Sequence, residues 1–109
     1  MLNLPPRLAA RLGSSQFANL HTFLLAARHL SFALAAEELC LSPSAVSHRI
    51  ARLEQALGLR LFERLTRQIR LTAEGERIFA ILDAAVDALD AALNGSRGEA
   101  SGAVALYAR

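Results

Sequence analysis

The sequence predicts a mainly α-helical fold: a winged helix-turn-helix of three helices and a short β-hairpin wing, followed by a long dimerisation linker helix. Three observations predict it. Two helix-like segments are separated by only two residues, an arginine-rich strand–loop–strand segment follows them, and the apolar stripe of the closing segment is too long for so small a domain. With 109 residues, the chain has room for one domain with a modest core.

The first regular segment begins at Phe17. Residues 1–16 contain Pro5, Pro6 and Gly13 and are predicted to form an N-terminal extension. Helical spacing of apolar residues then predicts a first helix over Phe17–His29. The residues expected on its buried side are Phe17, Leu20, Phe23, Leu24 and Ala27.

The second helix is predicted to be short and to begin after Ser31, whose hydroxyl can cap the first free amides. Cys40 and Leu41 follow it as a tight turn, and Cys40 is expected to be buried as a small apolar side chain. The alternative for Cys40 is a redox centre. The buried stripe of this helix is expected to contain Phe32, Ala35, Ala36 and Leu39.

The third helix is predicted to start almost at once, because Ser42 can act as its N-cap and Pro43 suits the first helical position. It is expected to end near Leu57, since Gly58 can take the left-handed conformation that often follows a helix. Two helices joined by so short a turn make a helix-turn-helix.

The segment after Gly58 is predicted to be a β-hairpin wing, with strands over Arg60–Arg64 and Ile69–Thr72 and a loop between them. Thr72 is then expected to cap a long helix that Asn94 and Gly95 end. The expected organisation is a winged helix-turn-helix over 17–72, a linker and dimerisation helix over 73–94, and over 95–109 a hinge and the start of a truncated effector-binding domain. Within that last stretch, 103–107 is expected to be a strand.

Charge divides the chain into two parts. Nine arginines and four acidic residues lie up to Thr72, whereas three arginines and six acidic residues follow it. The first part therefore has the positive charge expected of a polyanion binder. The chain contains arginine and no lysine. Arginine favours bidentate contacts to phosphate or guanine, whereas lysine would act as a point charge.

Several classes of function are disfavoured by composition. One cysteine excludes a disulfide within the chain and a zinc site of several thiolates, and the three histidines lack metal-ligand spacing. Neither a nucleophile motif nor a glycine-rich phosphate loop is recognisable. We therefore expect no enzyme activity, no cofactor and no metal, no membrane-spanning segment, and a cytoplasmic location.

The outer side of the third helix carries small and polar residues at steps of three and four. Small residues allow close approach to base edges in a DNA major groove, and hydroxyl, imidazole and guanidinium groups supply hydrogen bonds. The alternative is an ordinary solvated helix face. The residues predicted to read bases are Pro43, Ser44, Ser47 and His48.

Phosphate contacts are predicted from two kinds of residue. Arginines give affinity without sequence preference, and the capped helix starts present free amides to an anion. A solvated loop and purely structural caps are the alternatives. The residues concerned are Arg49, Arg52, Arg64, Arg67 and Arg70, together with Ser31, Ser42 and Thr72.

The last helix has an apolar stripe that so small a domain cannot cover by itself. Pairing with a second copy would form a symmetric dimer with two reading helices about one DNA turn apart. The alternative is packing against another part of the same polypeptide. The residues predicted for the dimer interface are Ile78, Phe79, Leu82, Val86, Leu89 and Leu93.

Many positions between residues 20 and 93 together resemble the LysR-type transcriptional regulators. They are Ala26-Ala27-Arg28, Ser31-Phe32, Ala35-Ala36-Glu37-Glu38-Leu39, Ser44-Ala45-Val46-Ser47, Ile50, Leu53-Glu54, Leu57-Gly58, Leu61-Phe62-Glu63-Arg64, Leu71-Thr72 and Gly75. The resemblance implies a homodimer, or a tetramer when full length, that reads an interrupted palindrome. It also implies a C-terminal domain, of the periplasmic-binding-protein type, that binds a small effector.

Within this family, AARHLSFALAAEELCLSPSAVSHRI and SGAVALYAR resemble activators of D-serine catabolism, which implies D-serine as the effector. Regulators of glycine cleavage share part of the pattern and are the alternative. Pro43 and His48 depart from the glutamine and arginine usual in the family at two base-reading positions, so the operator of this chain is expected to differ. Rivals outside the family are a helical protein-interaction module and a non-specific nucleoid-type DNA protein.

Overall fold

The computed structural model describes residue 13 and residues 16–102, with backbone alone from residue 96. The chain divides between Phe79 and Ala80 into two compact units. The expected fold, a winged helix-turn-helix followed by a long helix, is confirmed. Its elements in chain order are α1 (Phe17–His29), α2 (Phe32–Leu39), α3 (Pro43–Leu57), β1 (Phe62–Arg64), β2 (Ile69–Leu71) and α4 (Ala73–Gly102).

The helix ends follow the capping residues of the sequence. Ser31 Oγ accepts a hydrogen bond from the backbone N–H of Leu34 at 3.1 Å, and Ser42 Oγ accepts one from Ala45 at the same distance. Gly58 closes α3 with a φ of 74°, and its N–H donates to the Glu54 carbonyl at 2.8 Å. These local hydrogen bonds explain why the boundaries of α2 and α3 were predictable.

The core lies where α1, α2 and α3 pack against one another and against β1. Phe62 stands at its centre, with its ring edge-on to Phe23 at 5.6 Å between centroids and to Phe32 at 5.3 Å. Each fully buried apolar side chain contributes about 1.5–3 kcal/mol. The other fully enclosed apolar side chains of the core include Val46, Ile50, Leu53 and Leu61.

The expectation that Phe17 is buried is wrong, because 54% of its surface is exposed. The buried face of α1 is centred on Asn19, Thr22 and Ala26. At about 100° per residue, Phe17 points almost opposite to Ala26. Since α1 is apolar on most of its circumference, spacing alone selected the wrong side at its first turn.

Cys40 is exposed, so the expectation of a buried thiol is also wrong. It is the residue at the end of α2, with a left-handed φ of 58°, and its N–H donates to the carbonyl oxygens of Ala36 and Glu37. The left-handed conformation takes Cys40 out of the helical periodicity that buries Ala35 and Ala36. Its position is therefore set by its backbone.

The two strands are shorter than predicted. Glu54 accepts hydrogen bonds from the backbone N–H groups of Leu61, at 2.8 Å, and Phe62, at 3.3 Å. The segment before β1 is thus bound to α3 instead of extending the hairpin. The loop over residues 65–68 is as predicted and is closed by the bond from Leu65 N–H to the Gln68 carbonyl.

Thr72 joins the hairpin to the start of α4. Its hydroxyl donates to the Arg60 carbonyl at 2.6 Å and accepts from the Gly75 N–H at 2.9 Å, which confirms its predicted role as a cap. Its own N–H donates to the Leu61 carbonyl at 3.0 Å. The first turn of α4 is therefore held closely against residues 60–61.

The prediction that Asn94 and Gly95 end the last helix is wrong, because α4 continues to Gly102. Asn94 Nδ2 donates to Asp90 Oδ1 one turn earlier, at 3.1 Å, so its side chain supports the helix. Glycine inside a helix costs only about 1 kcal/mol. The first part of the hinge segment expected over 95–109 is thus helical as far as residue 102. The strand expected over 103–107 lies outside the described residues.

Candidate nucleic-acid interface

The N-terminal half of α3 presents polar side chains on the side opposite its buried residues. Ser44 and His48 are exposed one turn apart, whereas Val46, Ile50 and Leu53 are buried in the core. Pro43 is exposed at the first position of α3, and Ser47 is half-buried at the edge of this face. The structure thus places the four predicted base-reading residues on one accessible surface.

Arg64 connects the hairpin to this surface. Its Nη2 donates to Ser47 Oγ at 2.7 Å, and its guanidinium carbon lies 5.1 Å from the centroid of the Phe32 ring. Because side chains alternate along a strand, Arg64 shares a hairpin face with Phe62. The contact joins a residue predicted to bind phosphate to one predicted to read bases.

Two other arginines of the predicted site, both on α3, have partners within the protein. Arg52 Nη1 lies 3.4 Å from His48 Nε2, and Arg49 Nη1 donates to the buried Thr22 Oγ1 at 3.3 Å. The hydrogen bond from Arg49 to Thr22 therefore links α3 to α1.

Arg70 and Arg67 complete the basic residues of the hairpin. Arg70 forms an ion pair with Glu63 at 2.7 Å, and the two residues are direct partners across the strands. Arg67 is exposed in the loop and makes no side-chain hydrogen bond or ion pair with any residue that the structure describes. It is therefore the arginine of the hairpin whose charge is most available to a ligand.

The three predicted hydroxyl contacts are already engaged in capping. Ser31 and Ser42 each accept from their own helix, and Ser42 Oγ also lies 3.2 Å from Ser44 Oγ. Thr72 uses its hydroxyl as both donor and acceptor. A phosphate contact at these positions would therefore rely on the free backbone amides of the helix start.

An open cavity of about 400 Å³ lies between the turn before α2 and the hairpin loop. Its polar lining includes Ser31, Arg64 and Arg67, and Phe32 and Leu65 contribute apolar surface. Two arginines and a helix N-terminus around one depression form a surface suited to an anionic backbone.

Sequence reasoning missed three residues that organise this surface. Phe32 lies against the Arg64 guanidinium, Thr22 accepts from Arg49, and Glu54 anchors the start of β1. Phe32 and Glu54 belong to the motifs quoted above, but their partners are distant in sequence and no local pattern reveals them.

The residues predicted for the dimer interface all lie on α4. Ile78, Phe79, Leu82 and Val86 are half-buried. Leu89 and Leu93 are 62% and 57% exposed. The exposed pair leaves apolar surface without cover in the single chain, and the interface stays a prediction.

Two findings concern other kinds of site. Within residue 13 and residues 16–102, no helix combines the length and apolar character needed to cross a membrane. The same residues contain no group of three histidine, cysteine, aspartate or glutamate side chains that could hold a metal ion.

Comparison with known families decides what kind of protein this is. The sequence model described as "Bacterial regulatory helix-turn-helix protein, lysR family" matches residues 17–76, more than half of the chain. The chain belongs to the LysR family. The expected membership of a family of bacterial helix-turn-helix regulators is thereby confirmed.

The LysR-family relatives are longer than this chain. It is 53% identical over 95 residues to the HTH-type transcriptional regulator DsdC of Escherichia coli K12. The matched region covers 86% of this chain and 30% of DsdC. It is 55% identical over 60 residues to the glycine cleavage system transcriptional activator of the same strain. That match covers 55% of this chain and 20% of the activator. The chain thus spans less than a third of the length of these relatives.

A solved LysR-type structure shares the fold. The crystal structure of the BenM DNA-binding domain with benA site 1 DNA is similar to this chain with a TM-score of 0.66 and 29% identity. The similarity covers 79% of this chain and 97% of that one.

Proposed function

We propose that this chain binds double-stranded DNA at a defined sequence, with α3 in the major groove and the β1–β2 hairpin against the neighbouring backbone. The observation that carries the proposal is the exposed face of Ser44 and His48 beside the arginines of the hairpin. An α-helix fits the major groove, where each base pair has a distinct donor and acceptor pattern. The similarity to the BenM domain, whose structure is a complex with DNA, supports DNA binding.

The proposed contacts separate into two groups. Pro43, Ser44, Ser47 and His48 approach base edges. Phosphates are held by the capped helix starts and by Arg49, Arg52, Arg67 and Arg70. Arg70 would have to leave Glu63, but an exposed ion pair contributes only about 0–1 kcal/mol. Phosphate binding can therefore replace that pair at little cost.

Two copies are proposed to pair through the apolar stripe of α4 and so to read a palindromic operator. The exposed Leu89 and Leu93 support pairing, because burial of apolar surface drives association. In a symmetric dimer the two reading helices contact half-sites about 34 Å apart. A full-length protein would form such a dimer or a tetramer of it.

The proposed cellular role is activation of D-serine catabolism in the bacterial cytoplasm. The similarity to DsdC, which extends over 95 residues, supports this role, and the shorter similarity to the glycine cleavage activator makes control of glycine cleavage the alternative. The proposed organisation has DNA reading in 17–72, pairing in 73–94, and a C-terminal domain beyond this chain that binds the effector, D-serine.

Titration with duplex DNA and selection from a random DNA pool test the function together. Affinity should fall steeply between about 50 mM and about 200 mM salt, and selection should return a two-fold symmetric motif. A protein-interaction module would bind no DNA at either salt concentration. A nucleoid-type protein would bind DNA but return no motif.

His48→Ala is expected to relax preference at one base pair of each half-site by about fivefold, the effect of losing one hydrogen bond to a base. Gln55→Ala, exposed on the same helix two turns later, is the control and should leave the motif unchanged. Binding by competing duplexes measures both. Equal losses on operator and random DNA for His48→Ala would contradict a reading role.

Arg67→Gln is expected to weaken binding to all sequences alike, because Arg67 is an exposed loop cation suited to a phosphate. The slope of log affinity against log salt should fall by about 0.9 per subunit, the value for one lost phosphate contact. A salt series on operator and random duplexes measures it. An unchanged slope with an altered motif would assign Arg67 to base reading instead.

A further inference from the structure

Arg64 is held from two sides on the reading surface. One N–H donates to Ser47 Oγ at 2.7 Å, and the guanidinium carbon lies over the Phe32 ring, 5.1 Å from its centroid. The bond links residues 17 positions apart on β1 and α3. An exposed arginine with two such contacts is restricted to far fewer conformations than a free one.

The ring beneath Arg64 is itself fixed by the core. Phe32 packs edge-on against Phe62, and Phe62 packs against the buried Phe23. A continuous row of aromatic rings therefore runs from the centre of the domain to the guanidinium. The position of Arg64 relative to α3 is thus determined by core packing.

The chemistry of the bond between Arg64 and Ser47 fixes the role of the hydroxyl. A guanidinium has only donors, so Ser47 Oγ must be the acceptor. Ser47 makes no other side-chain hydrogen bond with any residue in the described part of the chain. Its proton is therefore left to donate to a group outside the protein.

We propose that Arg64 is a positioning residue that holds Ser47 as a hydrogen-bond donor toward DNA and so determines specificity at one base pair. This inference rests on the proposed function. In the major groove, guanine O6 and N7, adenine N7 and thymine O4 are acceptors, whereas cytosine presents an N4 donor. The Ser47 proton therefore favours a base that presents a hydrogen-bond acceptor at this position.

The alternative role for Arg64 is a direct contact to a phosphate, in which its charge alone contributes to DNA binding. The two roles predict different measurements. A phosphate contact changes affinity for every sequence and lowers the salt slope, whereas positioning of Ser47 changes preference at one base pair. Arg67 lies on the same hairpin, makes no such contact with the residues that the structure describes, and provides the matched comparison.

The test combines selection from a random pool with competition binding for the whole chain and four variants: Arg64→Gln, Ser47→Ala, the double variant and the control Arg67→Gln. Arg64→Gln and Ser47→Ala are each expected to relax the same base pair by about fivefold, as one lost hydrogen bond predicts. The double variant should relax it no further, because the two residues act through one bond. Arg67→Gln should leave the motif unchanged.

Three results would overturn the proposal. In the first, Arg64→Gln selects the original motif and only lowers the salt slope. In the second, Arg64→Gln relaxes preference at a different base pair from Ser47→Ala. In the third, the losses of base-pair preference in the two single variants add in the double variant. Thermal unfolding of each variant establishes that it is folded. Failure of the proposed function is distinct, because the unaltered chain would then return no motif at all.

Discussion

Gly75→Ala is expected to lower the free energy of unfolding by about 2–3 kcal/mol, which corresponds to a fall of about 10–20 °C in Tm for a domain of this size. A methyl group at Gly75 would overlap the carbonyl oxygen of Leu61 and lie 3.0 Å from its carbonyl carbon. Both obstructing atoms belong to the backbone, so no side-chain rotation can relieve the overlap.

The backbone around Leu61 has little freedom to move away. Leu61 is fully buried, its N–H donates to Glu54, and its carbonyl accepts from the N–H of Thr72. Thr72 also caps α4 through the N–H of Gly75 itself. A shift that makes room for a methyl group therefore stretches several hydrogen bonds at once.

Gly95→Ala is the matched control, because it makes the same chemical change in the same helix at a position where a methyl group meets no described atom within 4 Å. It should leave stability unchanged or raise it by up to about 1 kcal/mol, as helix propensity predicts. Thermal and urea unfolding of both variants measure the difference. If Gly75→Ala were as stable as Gly95→Ala, the close approach of α4 to residue 61 would be contradicted.

The helix-turn-helix was predictable because its boundaries depend on local chemistry. Ser42 followed by Pro43 starts α3, and Gly58 ends it, through hydrogen bonds within a few residues. The loop of the hairpin and the cap at Thr72 were predictable for the same reason.

The incorrect predictions concern positions that local pattern leaves open. Because α1 is apolar on most of its circumference, helical spacing does not determine which side is buried, and the predicted burial of Phe17 is wrong. Gly95 suggested a helix end, yet the cost of glycine in a helix is small and Asn94 bonds to Asp90 instead.

The proposed reading surface shows the same division. Spacing along one helix predicts which residues of α3 share its exposed side. The link between Ser47 and Arg64 was not predictable, because residues 17 positions apart meet only through the packing of Phe62 and Phe32 in the core.

Phe62→Ala is expected to have the largest effect on stability, a loss of about 3–5 kcal/mol. Its ring is 1% exposed and fills the space between Phe23 and Phe32, so truncation leaves a cavity that two rings border. A total stability of about 5–15 kcal/mol is usual for a small domain, and the loss is a large part of it. The urea midpoint should therefore fall strongly or the cooperative transition disappear.

Phe62→Leu is the control for this change, because leucine keeps most of the apolar volume and loses the edge-on contacts between rings, each worth about 0.5–1.5 kcal/mol. It should fold with a much smaller loss. Since Phe32 lies between Phe62 and Arg64, the folded Phe62→Leu variant should also hold Arg64 less firmly. Equal losses for the alanine and leucine variants would show that the rings, and not the filled volume, dominate at this position.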